Sequence, residues 1–337
     1  MSLSIFITKN FLLIKKLTKL LPIKPDPPVM ITFFILNIKL IVQCAKLVKE
    51  LSFKIKYYYL MESKELSVVI VTFNSEGKIF TCLNSIPNHI TVIIVENSNN
   101  ENFKVNIEKK YQNVECILTG SNKGYSVANN IGLKKVKTKY ALVLNPDTIL
   151  GINVINNFFI AVKKIPNFWL IGPSNNQLQK NGFEKNNIKE VNNLKGFAIF
   201  FNISKFNQNF FDENFFLYFE EIDLCKNVKI NNGKIYLDKN IDIKHEGASS
   251  VELKKELELE KNRNWHWMWS TFYFHKKYKG FSISLAIILP KLISSIFKTV
   301  FYQLIFNNKK RDIYYCRLSG IVNSILGKKS WYRPSLD

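Results

Sequence analysis

Residues 140–148 read Tyr-Ala-Leu-Val-Leu-Asn-Pro-Asp-Thr. Ala141 to Leu144 form an unbroken apolar run, the pattern of a strand covered on both faces. Asn145-Pro146 stops the run, because proline cannot continue a central ladder. Asp147 follows, so a carboxylate falls at the C-terminal end of a buried strand. In open α/β sheets that edge is where ligands bind. Taken alone, Asn-Pro-Asp reads equally well as a simple turn. Its surroundings have to decide.

Upstream, strand and helix patterns alternate. Residues 67–73, 91–96 and 114–118 read as strands, and 76–85, 102–111 and 125–136 as helices. The alternation predicts an α/β fold, a mainly parallel sheet with flanking helices and right-handed crossovers. Each strand ends in polar residues at one edge: Thr72 and Asn74, Glu96 and Asn97, Asn145 and Asp147. Neither G-x-G-x-x-G nor G-x-x-x-x-G-K-[ST] follows the first strand. A nucleotide bound here is therefore held without a dehydrogenase-type or P-loop cradle.

Downstream, 168–173, 195–202 and 233–238 read as strands. Between the last two lies an aromatic stretch ending in Glu220, Glu221 and Asp223, at the start of a helix reaching about residue 230. Acids in a first turn complement the helix dipole. Acids flanked by Phe, Tyr and Leu are also partly buried, and burial raises a carboxylate pKa toward use as a general base. Glu220 and Asp223, at i and i+3, fall on one helix face, with Glu221 about 100° away. His245, before a Gly and Ser loop, reads as either a surface histidine or a ligand to a metal or diphosphate.

The chain has 337 residues and a formal charge of +22, which at first suggests a nucleic-acid binder. The distribution argues against it. Residues 1–60 carry net +8 and 261–337 net +12, leaving +2 for the middle. Both basic ends are also rich in Leu, Ile and Phe, a combination suited to an anionic membrane surface. We expect a basic apolar extension over 1–60, a catalytic domain over 61–255 and a helical membrane-associating region over 256–337. Within the first, 1–23 reads as a basic amphipathic helix rather than a signal peptide. Residues 29–45 are apolar but contain Asn37 and Lys39, which disfavours a span. Residues 281–306 carry a wide apolar face and a narrow polar stripe, flanked by lysines. Core packing would explain that face; an interfacial helix fits the flanks better. Five scattered cysteines without a CxxC pair fit reduced thiols.

Five pieces in order resemble a known family: Val71-Thr-Phe-Asn74, Val95-Glu-Asn-Ser98, Asn122-Lys-Gly-Tyr-Ser-Val-Ala-Asn-Asn130, Leu144-Asn-Pro-Asp-Thr148, and Phe211-Asp-Glu213 through Tyr218-Phe-Glu-Glu-Ile-Asp-Leu224. Together they resemble the inverting family 2 glycosyltransferases of the GT-A fold, particularly the bacterial rhamnosyltransferase-like branch, over about residues 66–280. The resemblance implies that Thr72, Phe73 and Asn74 close the first strand against a nucleotide. It implies that Glu96, where the family usually has Asp, and Asn97 lie by the base. Asn122, Gly124 and Asn129 would shape the donor loop, with Asn145 in the place of the first acid of a D-x-D-like motif. Asp147 would be the metal ligand for Mg2+ or Mn2+, His245 would lie near the diphosphate, and Glu221 would be the general base with Glu220 and Asp223 beside it. The implied activity is transfer of a sugar from a nucleotide-sugar donor to a glycan or lipid-linked acceptor, as a peripheral enzyme on the cytoplasmic face of the plasma (inner) membrane in cell-surface polysaccharide synthesis. The alternatives are a nucleotidyltransferase, which lacks its basic Gly-rich loop here, and a non-catalytic membrane-binding module. Nucleic acid is not an expected partner, because the balanced middle offers no basic face.

Overall fold

A computed structural model describes residues 64–174, 187–207, 209–245 and 256–333, together with Lys46. The chain divides after Tyr59, and all of these residues except Lys46 lie in the unit beginning at Leu60. The expected helix at 1–23 and the apolar stretch 29–45 lie outside the described residues.

β1 (Leu66–Thr72), β2 (Thr91–Glu96), β3 (Val114–Leu118) and β4 (Tyr140–Leu144) form the parallel half of one sheet, in the order β3-β2-β1-β4. The sheet continues through β8 (Ala198–Asn202), β6 (Phe168–Pro173), β9 (Lys234–Asp238) and β7 (Ile188–Glu190). In that second half only β6 and β9 pair in parallel, so the expected parallel sheet becomes mixed beyond β4. A two-stranded sheet joins β5 (Thr148–Leu150) to β10 (Ile243–His245).

The unbroken apolar strands have the physical cause inferred for them. Val68, Ile70, Leu142 and Leu144 enter one buried cluster, while Val69, Ala141 and Val143 enter another. Alternate residues point to opposite faces, so a strand covered twice must be apolar throughout. α1 (Glu76–Asn84), α2 (Glu101–Lys110) and α4 (Val154–Lys164) bury Ile79, Phe103 and Phe158 in the first cluster. α3 (Tyr125–Lys135) covers the second, passing so close to β1 that a Cβ on Gly132 would meet Val69 at 2.4 Å. Phe158 stacks on Phe200 of β8 at 4.6 Å, joining helix to sheet.

Register fixes the edge that matters. Thr72 pairs with Glu96, and Ile70 with Leu144, so β1 and β2 end level and β4 ends two residues earlier at the same edge. β8 runs antiparallel to β4 with Ala198 opposite Leu144. Gly196 and Phe197, just before β8, therefore reach the same edge. α5 (Glu220–Ile230) begins there as well. α6 (Glu256–Lys279), α7 (Phe281–Leu304) and α8 (Asn308–Ile325) follow and pack on one another through Trp265, Met268, Phe272, Ile288 and Ile321.

Candidate active site

At the end of β4 the chain turns tightly. The Asn145 N–H donates to Phe197 O at 2.9 Å, and the Thr148 N–H and hydroxyl donate to Asn145 O at 3.2 and 2.7 Å. The turn folds Asp147 inward to 4% exposure. β5 leaves the turn and pairs with β10, placing His245 opposite Thr148. The His245 ring stacks on Phe197, centroids 4.6 Å apart, and its Nε2 lies 3.4 Å from Asp147 Oδ1. That is ion-pair distance without hydrogen-bond alignment, so Asp147 Oδ1 stays buried without a hydrogen-bond partner.

A cleft of about 910 Å³ opens at this edge. Of the predicted residues, Phe73, Asn97, Asn122, Gly124, Asn145, Glu220, Glu221 and His245 line it. The Asn97 amide nitrogen donates to Asn122 Oδ1 at 3.1 Å, and Asn97 Oδ1 accepts the Lys123 N–H at 2.9 Å. Gly124 has φ +85°, and a Cβ there would lie 2.6 Å from Phe216 O, so the loop requires glycine in both conformation and space.

Other predicted residues stand behind the lining. Glu96 is 2% exposed. One of its oxygens accepts the Thr72 hydroxyl, and the other accepts the Ser98 N–H and hydroxyl. Thr72 and Glu96 therefore brace the strand ends. Asn129 is buried and donates to Tyr125 O at 2.9 Å. Asn74 is exposed with left-handed φ +47° and does not line the cleft.

Two consecutive left-handed residues, Tyr218 (φ +69°) and Phe219 (φ +72°), precede α5. Non-glycine residues there cost roughly 1–3 kcal/mol each and persist only where surroundings hold them. This kink delivers Glu220 and Glu221 to the cleft. Glu220 is 6% exposed and its Oε2 has no partner. Burial, reinforced by the charge of Glu221, holds the Glu220 carboxyl well above the usual range. Burial also raises Glu221, opposed by the N–H groups of Glu221 and Ile222 at the helix start.

The structure separates Asp223 from this pair. Both its oxygens are taken by α6, one by the Tyr278 hydroxyl at 2.8 Å and the other by Lys277 Nζ at 2.8 Å. The i, i+3 reading grouped Glu220 with Asp223, whereas partners on α6 draw Asp223 away and the cleft takes Glu220 with Glu221.

Tyr125, Asn262 and Arg263 line the cleft without an assigned role in the sequence. Tyr125 donates its hydroxyl to Gly196 O at 2.9 Å, bridging α3 to the β8 approach. Burial raises its pKa, and the charges of Glu220, Glu221 and Asp147 add to that. Asn262 and Arg263 enter the wall from α6. Tyr125 lay within a recognised motif; no local pattern marks the α6 pair, because only packing brings that helix to the sheet edge.

Residues 67–223 match the model of the family described as Glycosyl transferase family 2. The low-salt glycan biosynthesis hexosyltransferase Agl10 of Haloferax volcanii is 25% identical over 210 residues, 54% of this chain and 67% of that protein. Among solved structures, GalNAc-T7 with UDP, GalNAc and Mn2+ gives a TM-score of 0.46 at 12% identity, over 61% of this chain and 50% of that one. S. aureus TarS 1–349 in complex with UDP-GlcNAc gives 0.41 at 14% identity, over 80% of this chain and 93% of that one. The stretch that matches the glycosyl transferase family 2 model opens on β1, closes at Asp223 in α5 and contains both cleft glutamates.

Proposed function

We propose that the chain is an inverting, hexosyl-type glycosyltransferase taking a nucleotide sugar to a hydroxyl of a glycan or lipid-linked acceptor in cell-surface polysaccharide synthesis. One observation carries the reading: the buried Glu220 and the half-buried Glu221 beside it face a large cleft at the C-terminal edge of β1, β2 and β4, within the stretch that matches the family 2 model. Glu221 accepts the proton of the acceptor hydroxyl as that oxygen forms its bond to the anomeric carbon and the nucleoside diphosphate leaves. A single displacement inverts the centre and requires no enzyme nucleophile. Burial and the charge of Glu221 push the Glu220 carboxyl well above the usual range, which disfavours a second negative charge beside the attacking oxygen. Tyr125 holds the Gly196 backbone, and so the cleft wall facing Glu221.

Asp147 and His245 fit a hard divalent cation, Mg2+ or Mn2+. Asp147 Oδ1 is a buried orphan acceptor, and His245 Nε2 is 3.4 Å from it. Among the described residues no group of three or more His, Cys, Asp or Glu forms a closed cage. Two protein donors, with phosphate oxygens and water completing the shell, are usual for such ions. When bound, the ion supplies charge neutralisation for the leaving diphosphate.

The membrane part of the reading rests on α7. This helix has mean hydropathy 1.7 over its apolar window and turns Ser284 and Ser295 inward while Ile293, Phe297, Val300 and Leu304 face out. Lys276 and Lys279 precede it, and Lys309, Lys310 and Arg311 follow. An outward apolar face with basic flanks suits peripheral binding to an anionic leaflet, at the cytoplasmic face of the inner membrane. The resemblance of the motif set makes nucleotide-rhamnose the first donor to test. A thermal-shift panel of nucleotide sugars with Mn2+, followed by product analysis, tests the reading. Stabilisation by no nucleotide sugar would sink it.

A further inference from the structure

The segment that delivers the two glutamates has neither helix nor strand from Phe211 to Phe219. One face of α6 takes it up side chain by side chain. His266 stacks on Phe216 at 4.5 Å, and Trp267 meets Tyr218 and Phe219 at 5.2 and 5.4 Å. The Ser270 hydroxyl donates to Leu217 O at 3.0 Å, Tyr273 meets Phe215 at 4.9 Å, and Phe274 meets Phe219 at 5.4 Å. Positions 266, 267, 270, 273 and 274 share a helix face at the 3.6-residue period. That face ends in an ionic knot. Lys277 Nζ lies 2.8 Å from Asp212 Oδ2 and 2.8 Å from Asp223. The Tyr273 hydroxyl donates to Asp212 at 3.0 Å and the Tyr278 hydroxyl to Asp223 at 2.8 Å. Asp212 opens the segment and Asp223 closes it, so one lysine ties both ends to α6.

No side-chain cap sets the orientation of the first turn of α5. Its N-cap is the left-handed Phe219, which makes no side-chain capping bond. Asp223, two residues beyond Glu221 and 2% exposed, is the one acid of that turn gripped from outside. Burial would discharge Lys277, but its hydrogen bonds to the two carboxylates outweigh that and keep it charged.

We propose that Lys277, assisted by Tyr278, is a positioning residue for the general base: by holding Asp223 it sets the rotation of the first turn of α5 and aims Glu221 into the cleft. The proposal rests on the reading of Glu221 as the base. Lys277 is not among the residues lining the cleft, so its effect on Glu221 passes through the segment and the helix turn that it holds at Asp212 and Asp223.

The test compares Lys277→Met, Tyr278→Phe and Lys277→Arg with the full wild-type chain. Turnover, donor KM and deuterium exchange over residues 215–224 are read in each. Lys277→Met should lower kcat about 10–100-fold, the scale of a misplacement near 1 Å, with donor KM within about twofold. Tyr278→Phe should give a smaller fall of the same kind, and Lys277→Arg should recover most of the loss. The Asp223 amide, bonded to Phe219 O at 2.8 Å, should exchange faster in Lys277→Met and Tyr278→Phe. Unchanged kcat overturns the proposal, and so does a loss of kcat and donor affinity in step that Lys277→Arg does not relieve. If Lys277→Met does not fold, Tyr278→Phe decides by the same criteria. If the wild type transfers no sugar, the base reading falls by itself. The exchange comparison still decides the clamp, and equal exchange in wild type and variants overturns it.

Discussion

His245 Nε2 stands 3.4 Å from Asp147 Oδ1, although the two residues lie nearly a hundred residues apart on segments brought together by the β5–β10 pairing. The neighbouring Phe197 fixes the imidazole plane by stacking. The result is a donor pair at the sheet edge whose carboxylate oxygen has no hydrogen bond to satisfy it. Such an oxygen, buried and unpaired, is costly unless something is bound to it.

That cost predicts the first outcome. Asp147→Ala should remove the Mn2+-dependent part of the thermal shift given by a nucleotide sugar, and His245→Ala should weaken it. Full donor binding by Asp147→Ala in excess Mn2+ would exclude the carboxylate as a metal ligand.

Glu221→Gln should reduce kcat by about 10²–10⁴-fold while leaving donor-induced stabilisation near the wild-type value. The pH profile has a defined sign. A base works only when ionised, and burial raises the Glu221 pKa. Wild-type kcat should therefore fall as pH decreases, with its acidic limb at higher pH than an exposed carboxylate would give. A profile lacking that limb would point to another base.

His266 makes a prediction about stability. Its Nε2 faces Tyr332 O at 2.9 Å and its Nδ1 the Ser330 hydroxyl at 2.9 Å. Burial lowers its pKa from 6.5 to about 3, with the Arg333 charge adding and the Tyr332 carbonyl opposing. The unfolded chain binds this proton first on acidification. The stabilisation is thus present above pH 6.5 and is lost as pH falls toward 3. Melting temperature should drop over that window in the wild type, and His266→Gln should show a shallower slope.

Phe297→Asp combined with Phe301→Asp alters two outward positions of α7 that no core residue needs. Flotation with vesicles containing anionic lipid should be lost, while melting temperature stays unchanged. Continued flotation of the double variant would remove α7 as the membrane contact.

Much of the framework was legible from residues alone. The first four strands appear where their β-branched or fully apolar runs stood, because a strand covered on both faces leaves no polar position to obscure it. α5 begins at Glu220, where the acids announced it. α4 and the short strands β5, β7 and β10 were not legible. Three-residue strands carry no period to read, and Val154–Lys164 follows directly on a strand end without a side-chain N-cap.

The sequence by itself determined that acids and amides stand at the ends of buried strands and at the head of an aromatic-flanked helix. Periodicity and turn chemistry act over a few residues, and those features need nothing more. Only the tertiary structure decided which of them meet. It joined His245 to Asp147 through β-pairing, closed Thr72 on Glu96, and brought Asn262 and Arg263 to the cleft. It also divided the three acids of α5, since Lys277 and Tyr278, more than fifty residues later, hold Asp223 and leave Glu220 and Glu221 facing the cleft. Helical spacing states which side chains share a face; the partners that face meets are set by contacts between segments distant in the chain.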